Sequence, residues 1–165
     1  MEKIPTSEAS PQKTSLRRAE EADQRFLFEV VRTAMQPVYE ASGQVVASDD
    51  EAFVEFQEKF NAEDVSVIQY EGIDVGRLRV IRTPEHIFVG GIHLLPEYQG
   101  LGIGSSVLTT LIEEAENTLT PIILEVRDVN IKAAALYEKL GFVEQQQRDN
   151  MLIMEYRPST ENGLT

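Results

Sequence analysis

The chain predicts an α/β fold built on a mixed sheet of about seven strands flanked by about four helices. Three observations carry this reading. From Ile87 to Leu119 an apolar, β-branched run feeds a glycine-rich turn that opens a helix. From Ile122 to Val126 the chain is almost continuously apolar, as in a strand buried in a parallel position. Between Val65 and Arg82 short apolar runs are separated by turn residues, as in a meander. A strand, a helix and a second strand in that order imply two parallel strands joined by a right-handed crossover.

In chain order, residues 1–13 are rich in Ser, Pro, Glu and Lys and have little to bury, so they are expected to be a disordered tail. Thr14 to Ala19 reads as a short strand. Glu20 to Met35 reads as a helix with Phe26, Leu27, Val30, Val31 and Ala34 on one side, limited by Pro37. Ser48 is a cap candidate for a second helix over Asp49–Phe60, where acids fill the first turn and Phe53, Phe56 and Phe60 form a stripe. Strands follow at Val65–Tyr70, Val75–Arg82 and from Ile87. The long helix is apolar at Ile103, Val107, Leu108, Leu111, Ile112, Ala115 and Leu119. Thr120-Pro121 ends it, and Asn130 caps a last helix over Ile131–Leu140, with Gly141 just past its end. Phe142–Gln147 and Met151–Tyr156 form a hairpin. One domain is expected over 14–158, with 159–165 as a tail.

Gly100, Gly102 and Gly104 stand at alternate positions where the strand turns into the helix. Glycine lets backbone N–H groups approach a ligand, and a helix N-terminus favours negative charge, so the expected ligand is a phosphate, above all a pyrophosphate. A nucleoside-triphosphate loop requires Lys and then Ser or Thr after its last glycine; Gly104 is followed by Ser105 and Ser106, which excludes it. A dinucleotide turn is a competitor, with Glu125 or Asp128 as its ribose acid. It wants Gly or Ala where Ser105 stands, and Pro96–Gln99 separates strand from glycines.

Gln99, Gly102 and Gly104, with Pro96 three residues before Gln99, resemble motif A of the GCN5-related N-acetyltransferases (GNAT). Leu124, Val126, Asn130, Ala133, Leu136, Tyr137, Gly141 and Phe142 are similar to that family's motif B. The likeness covers Ile87–Phe142 in detail and Thr14–Pro158 in organisation. It implies the GNAT acyl-CoA N-acyltransferase fold, with acetyl-CoA as cosubstrate and direct acetyl transfer to a primary amine in a ternary complex; no metal is expected, since the two histidines lack nearby ligand spacing. It also implies a cofactor site of Leu94, Leu95, Gln99, Gly100, Leu101, Gly102, Ile103, Gly104, Ser105, Asn130, Ala133 and Tyr137. In it the loop N–H groups hold the pyrophosphate, and backbone at Leu94 and Leu95 meets the pantetheine arm. Tyr137 stands where the family keeps its general acid. Asn130 serves as a cofactor contact or as a helix cap, and Leu94 and Leu95 as cofactor contacts or core.

An amine of unperturbed pKa near 10.4 must also lose a proton. The family's usual acid would fall at Gly90 or Gly91, so it is missing, and His93 is the nearest titratable candidate. That absence keeps a second hypothesis alive, a non-catalytic acyl-CoA-binding regulatory module. Tyr39, Glu40, Asp49, Asp50 and Glu51 could face an amine or form a solvated face.

The composition bounds the partners. Fifteen basic and 28 acidic residues give a formal net charge of −13, which argues against nucleic acid and suits a cationic amine. There is no cysteine, hence neither a disulfide framework nor a thiol nucleophile. No apolar run approaches the roughly 20 residues of a membrane span. With a polar N-terminus, the expectation is a soluble cytoplasmic protein with no membrane partner. The C-terminal hairpin is a candidate contact for a homodimer.

Overall fold

The structure is a computed structural model that describes residues 13–159. Of the tails expected at 1–13 and 159–165, residues 1–12 and 160–165 lie outside the described residues. Lys13 ion-pairs with Glu71 at 3.1 Å, and the Ser159 N–H donates to a Glu116 carboxylate oxygen at 3.0 Å.

Seven strands and four helices are present among the described residues. They run β1 (Thr14–Arg18), α1 (Gln24–Ser42), α2 (Asp49–Lys59), β2 (Val65–Tyr70), β3 (Ile73–Arg82), β4 (Ile87–Leu94), α3 (Ile103–Thr118), β5 (Ile122–Arg127), α4 (Ile131–Lys139), β6 (Val143–Arg148) and β7 (Met151–Tyr156). The strand order in the sheet is β1-β2-β3-β4-β5-β7-β6. β4 and β5 pair in parallel, while β1–β2, β2–β3, β5–β7 and β6–β7 are antiparallel. The mixed sheet and both element counts agree with the sequence reading.

The described residues fall into two compact units. One runs to Arg79 and includes Ile92–Ser106; the other comprises Val80–Gly91 and the chain from Val107. In the first unit, Ala19, Leu27, Val65 and Val67 form a core cluster against which Phe26, Phe56 and Phe60 pack. Each such aliphatic side chain removed from water contributes roughly 1.5–3 kcal/mol. Arg17 on β1 ties the start of α1 to β3, holding Asp23 and Asp74 through two hydrogen bonds each, at 2.8–3.3 Å. Its guanidinium keeps both carboxyls below the usual carboxylate range. The β2–β3 turn places both Glu71 (φ 53°) and Gly72 (φ 83°) in the left-handed region, as a two-residue hairpin of primed type demands.

Pro37 does not end α1, as the sequence reading expects. It costs one backbone hydrogen bond, but it sits on the exposed side of a helix that continues to Ser42. Val38, buried one residue on, anchors the extra turn, and Gly43 at φ 69° closes it. Phe28, absent from the expected stripe, is buried and meets Phe53 and Phe56 with ring centroids 5.2 and 5.7 Å apart. α2 is capped as expected, Ser48 Oγ accepting from the Glu51 N–H.

In the second unit the parallel ladder pairs Ile87 with Ile122, Phe88 with Ile123 and Val89 with Leu124. β5 is not buried throughout. Ile122, Leu124 and Val126 point inward and Glu125 is exposed, because only one of its faces carries the core. Ile103, Val107, Leu108, Leu111 and Ala115 of the expected α3 stripe are buried; Leu119, beyond the helix end, is exposed. Among the described residues no helix is long and apolar enough to cross a membrane.

Candidate active site

The site residues expected from sequence are divided between the two units. His93, Leu94, Leu95 and Gln99–Ser105 belong to the first unit; Asn130, Ala133 and Tyr137 belong to the second.

In the first unit, β4 ends at Leu94 and a single tight turn, Pro96–Tyr98, leads into the glycines. That turn is closed by the Tyr98 N–H on the Leu95 carbonyl at 2.9 Å, and by the Gln99 side-chain amide on the Leu94 carbonyl at 3.0 Å. Gln99 thus ties the loop back to the end of the strand. The Leu95 N–H is taken by the Val75 carbonyl at 3.0 Å. Gly100 and Gly102 have φ of 77° and 85° with Leu101 between them, whereas Gly104 lies in the first turn of α3. Alternation of this kind turns successive N–H groups toward one side, forming a concave anion site. The first capped bond of α3 runs from the Ser106 N–H to the Gly102 carbonyl at 3.0 Å. The six N–H groups from Gly100 to Ser105 have no acceptor among the described residues. A Cβ at Gly100 or Gly102 would meet open space, so these positions need glycine for their backbone angle and not for room.

Gly76, which the sequence reading passed over, holds the other side of this strand end. A Cβ there would lie 2.5 Å from the His93 carbonyl oxygen and 2.7 Å from Leu94 Cδ2. Only glycine lets β3 lie that close to the His93–Leu94 segment. The signal in sequence was a lone glycine inside an alternating strand. Behind it, His93 Nδ1 is buried without a hydrogen-bond partner, and burial together with the nearby Arg77 cation lowers its pKa to about 4. The imidazole is therefore neutral at physiological pH and weakly basic.

In the second unit, Asn130 caps α4, its Oδ1 accepting from the Ala133 N–H at 3.4 Å. Tyr137 lies about two turns in, is 8% exposed, and packs on Phe142 with centroids 5.8 Å apart. Burial pushes its phenol up to about 12. It keeps its proton across the physiological range and can donate a hydrogen bond.

Three of the four acids named as amine-facing candidates are engaged elsewhere. Asp49 pairs with Arg32 at 3.0 Å, Glu40 accepts from Gln36 at 2.8 Å, and Glu51 accepts from Ser48 at 3.2 Å. No group of three His, Asp or Glu is placed to hold a metal among the described residues.

The chain belongs to the acetyltransferase (GNAT) family, whose profile matches residues 18–142. Over 67 residues it is 43% identical to the [ribosomal protein bS18]-alanine N-acetyltransferase of Escherichia coli K12, covering 40% of this chain and 42% of that protein. It is 36% identical over 101 residues to the N-alpha-acetyltransferase RimI of Mycobacterium tuberculosis, covering 61% of this chain and 58% of that one. The chain therefore spans about half the length of the relatives it matches. The fold is similar to that of the PaiA N-acetyltransferase of Thermoplasma acidophilum, solved with coenzyme A, with a TM-score of 0.68 and 19% identity over 87% of this chain and 98% of that one.

Proposed function

We propose that this chain is an acetyl-CoA-dependent N-acetyltransferase, a single catalytic domain over 14–158 that acetylates a primary amine by direct attack in a ternary complex. The observation that carries the reading is the run of six N–H groups from Gly100 to Ser105 without an acceptor. Such a run left bare is costly, since the start of a helix is normally capped or solvated. A pyrophosphate supplies the missing acceptors, and the loop fits one in donor chemistry and in backbone curvature.

Bound acetyl-CoA would supply an activated acetyl thioester. The residues do the rest. The Gly100–Ser105 amides hold the diphosphate, so that the thioester is positioned rather than free to diffuse. The Leu95 N–H is committed to Val75, so the Leu94 and Leu95 carbonyls, each with a second lone pair, are the backbone groups offered to the pantetheine arm at the end of β4. Asn130, beyond its cap role, offers its side-chain amide N–H groups. Tyr137 donates its phenolic hydrogen to sulfur as negative charge develops there. His93 is the proposed proton acceptor for the amine, handicapped by its low pKa. That handicap favours the second reading, a regulatory module that binds acyl-CoA without turnover. An acceptor of the kind named for the E. coli relative, an alanine of a ribosomal protein, would place the enzyme in the cytoplasm.

Calorimetry with acetyl-CoA and a thiol-release assay over a panel of amines separate these readings. Transfer predicts binding together with amine-dependent release of coenzyme A. Binding with no release from any amine selects the regulatory module, and absence of binding removes both.

A further inference from the structure

The first unit contains a cavity of about 380 Å³ lined by α1, α2, β2 and β3. Its walls include Phe28, Phe56 and Phe60, and Arg77 and Arg79 enter it from β3. In a strand, residues two apart share a face, so the two guanidiniums lie side by side. They stand opposite Val67 and Val65 in the β2–β3 register, and both valines are buried on the side covered by Leu27 and the α2 phenylalanines.

Two features of this pair are unexplained by folding. Neither arginine has a carboxylate partner among the described residues, although the chain carries 28 acids. Glu55, the acid that lines the cavity, is committed to Lys59, and Arg32 of the lining is paired with Asp49. Second, Arg77 Nε is buried with no hydrogen-bond partner. Its guanidinium lies 5.9 Å from the centre of the Phe56 ring, a contact that favours the charge but accepts no N–H. A buried donor left unmade, beside a like charge, destabilises the fold and calls for an acceptor from outside. The volume falls within the range of small-molecule sites, which run roughly 300–1,000 Å³.

We infer that this cavity binds a carboxylate on a short hydrocarbon body, with Arg77 and Arg79 holding the carboxylate and the phenylalanines holding the carbon chain, and that the bound molecule is the amine acceptor. The last clause rests on the proposed transfer reaction; the binding itself does not. Arg77 stands next to Gly76 on β3, which packs there on the His93–Leu94 segment, so the cavity lies one strand from the backbone expected to meet the pantetheine arm. The overall acidity of the chain attracts the acceptor's ammonium, while this local basic pair selects among amines by their acid.

The test uses glutarate and its neutral isostere glutaramide, titrated into the full chain without acetyl-CoA and followed on the Arg77 Nε–H resonance. Glutarate should shift that signal and bind at least tenfold tighter than glutaramide. R79Q should remove the difference, and R79K, which keeps the charge, should restore most of it. R77Q, which lacks the reporter N–H and is followed by calorimetry, should behave like R79Q, with unchanged melting of R79Q guarding against a folding artefact. Equal binding of the two probes, or glutarate binding indifferent to both arginines, overturns the cavity assignment. In turnover, the dipeptide Ala-Glu should exceed Ala-Gln at least tenfold in kcat/KM, a preference lost in R79Q. Equal rates with intact glutarate binding overturn the acceptor role. Arginine-dependent glutarate binding in a protein that acetylates no amine overturns the transfer reading and leaves the cavity standing.

Discussion

Two helix starts in this chain are built to opposite ends. α4 begins at Asn130, whose side chain accepts from the Ala133 N–H, as Ser48 does for Glu51 at the start of α2. These caps use up backbone donors and stabilise the helix. α3 begins instead at Gly102, in the left-handed region, and its first donors have no acceptor among the described residues. Against the glycine that stands there, a capping side chain would contribute roughly a few tenths of a kcal/mol to stability. The lesson is that the chain gives up that stability at one helix and keeps it at others, and the uncapped start is where an anion is expected. α4, with its leading amide already committed, can contribute to chemistry only through a side chain, and Tyr137 is the one the proposal uses.

Breaking the open start should give the largest effect. Gly102→Asp keeps a residue that tolerates the left-handed region but adds a negative charge to the amide nest. Acetyl-CoA affinity should fall by about 100-fold or more, roughly 2.7 kcal/mol, while the melting temperature moves by only a few degrees. Unchanged affinity by calorimetry would remove the nest from the account. Next comes the side-chain contribution of the capped helix. Tyr137→Phe retains the packing on Phe142 and removes the hydroxyl, so kcat should drop by roughly 10²-fold with melting little changed. Because the phenol titrates near 12, it is protonated, and so able to donate, throughout the assay range, and the wild-type rate should show no alkaline limb from this group below about pH 11. A rate within twofold of wild type would leave Tyr137 a packing residue. The smallest effect sharpens the contrast between the two starts. Ser48→Ala and Asn130→Ala should each cost about 1 kcal/mol in denaturant unfolding. Ser48→Ala should leave acetyl-CoA affinity alone. A loss of affinity in Asn130→Ala that Asn130→Asp, which keeps the cap acceptor, fails to restore would add the side-chain amide to the binding contacts.

Most of the architecture was legible because its signals are local. The apolar spacing of α3, the turn at Glu71-Gly72 and the caps Ser48 and Asn130 each depend on neighbours within a few residues, and each stands where the sequence puts it. Pro37 misled because its penalty is one hydrogen bond, whereas the burial of Val38 that outweighs it comes from packing partners distant in sequence. The glycine loop was legible as a motif, but its reason was not. Gly102 is required for its backbone angle, and open space surrounds its missing Cβ.

The order of strands and helices, the glycine turn and the acidic balance of the chain follow from the sequence alone, because local propensity, periodicity and composition are properties of the chain before it folds. Only the tertiary structure decided that Gly76 lies against His93 and Leu94, that His93 is buried beside a cation, and that Arg77 and Arg79 enter a cavity whose lining acid, Glu55, is already paired with Lys59. Those are relations between strands and helices that meet in space, and charge and burial acquire their energies only once the partners have been brought together.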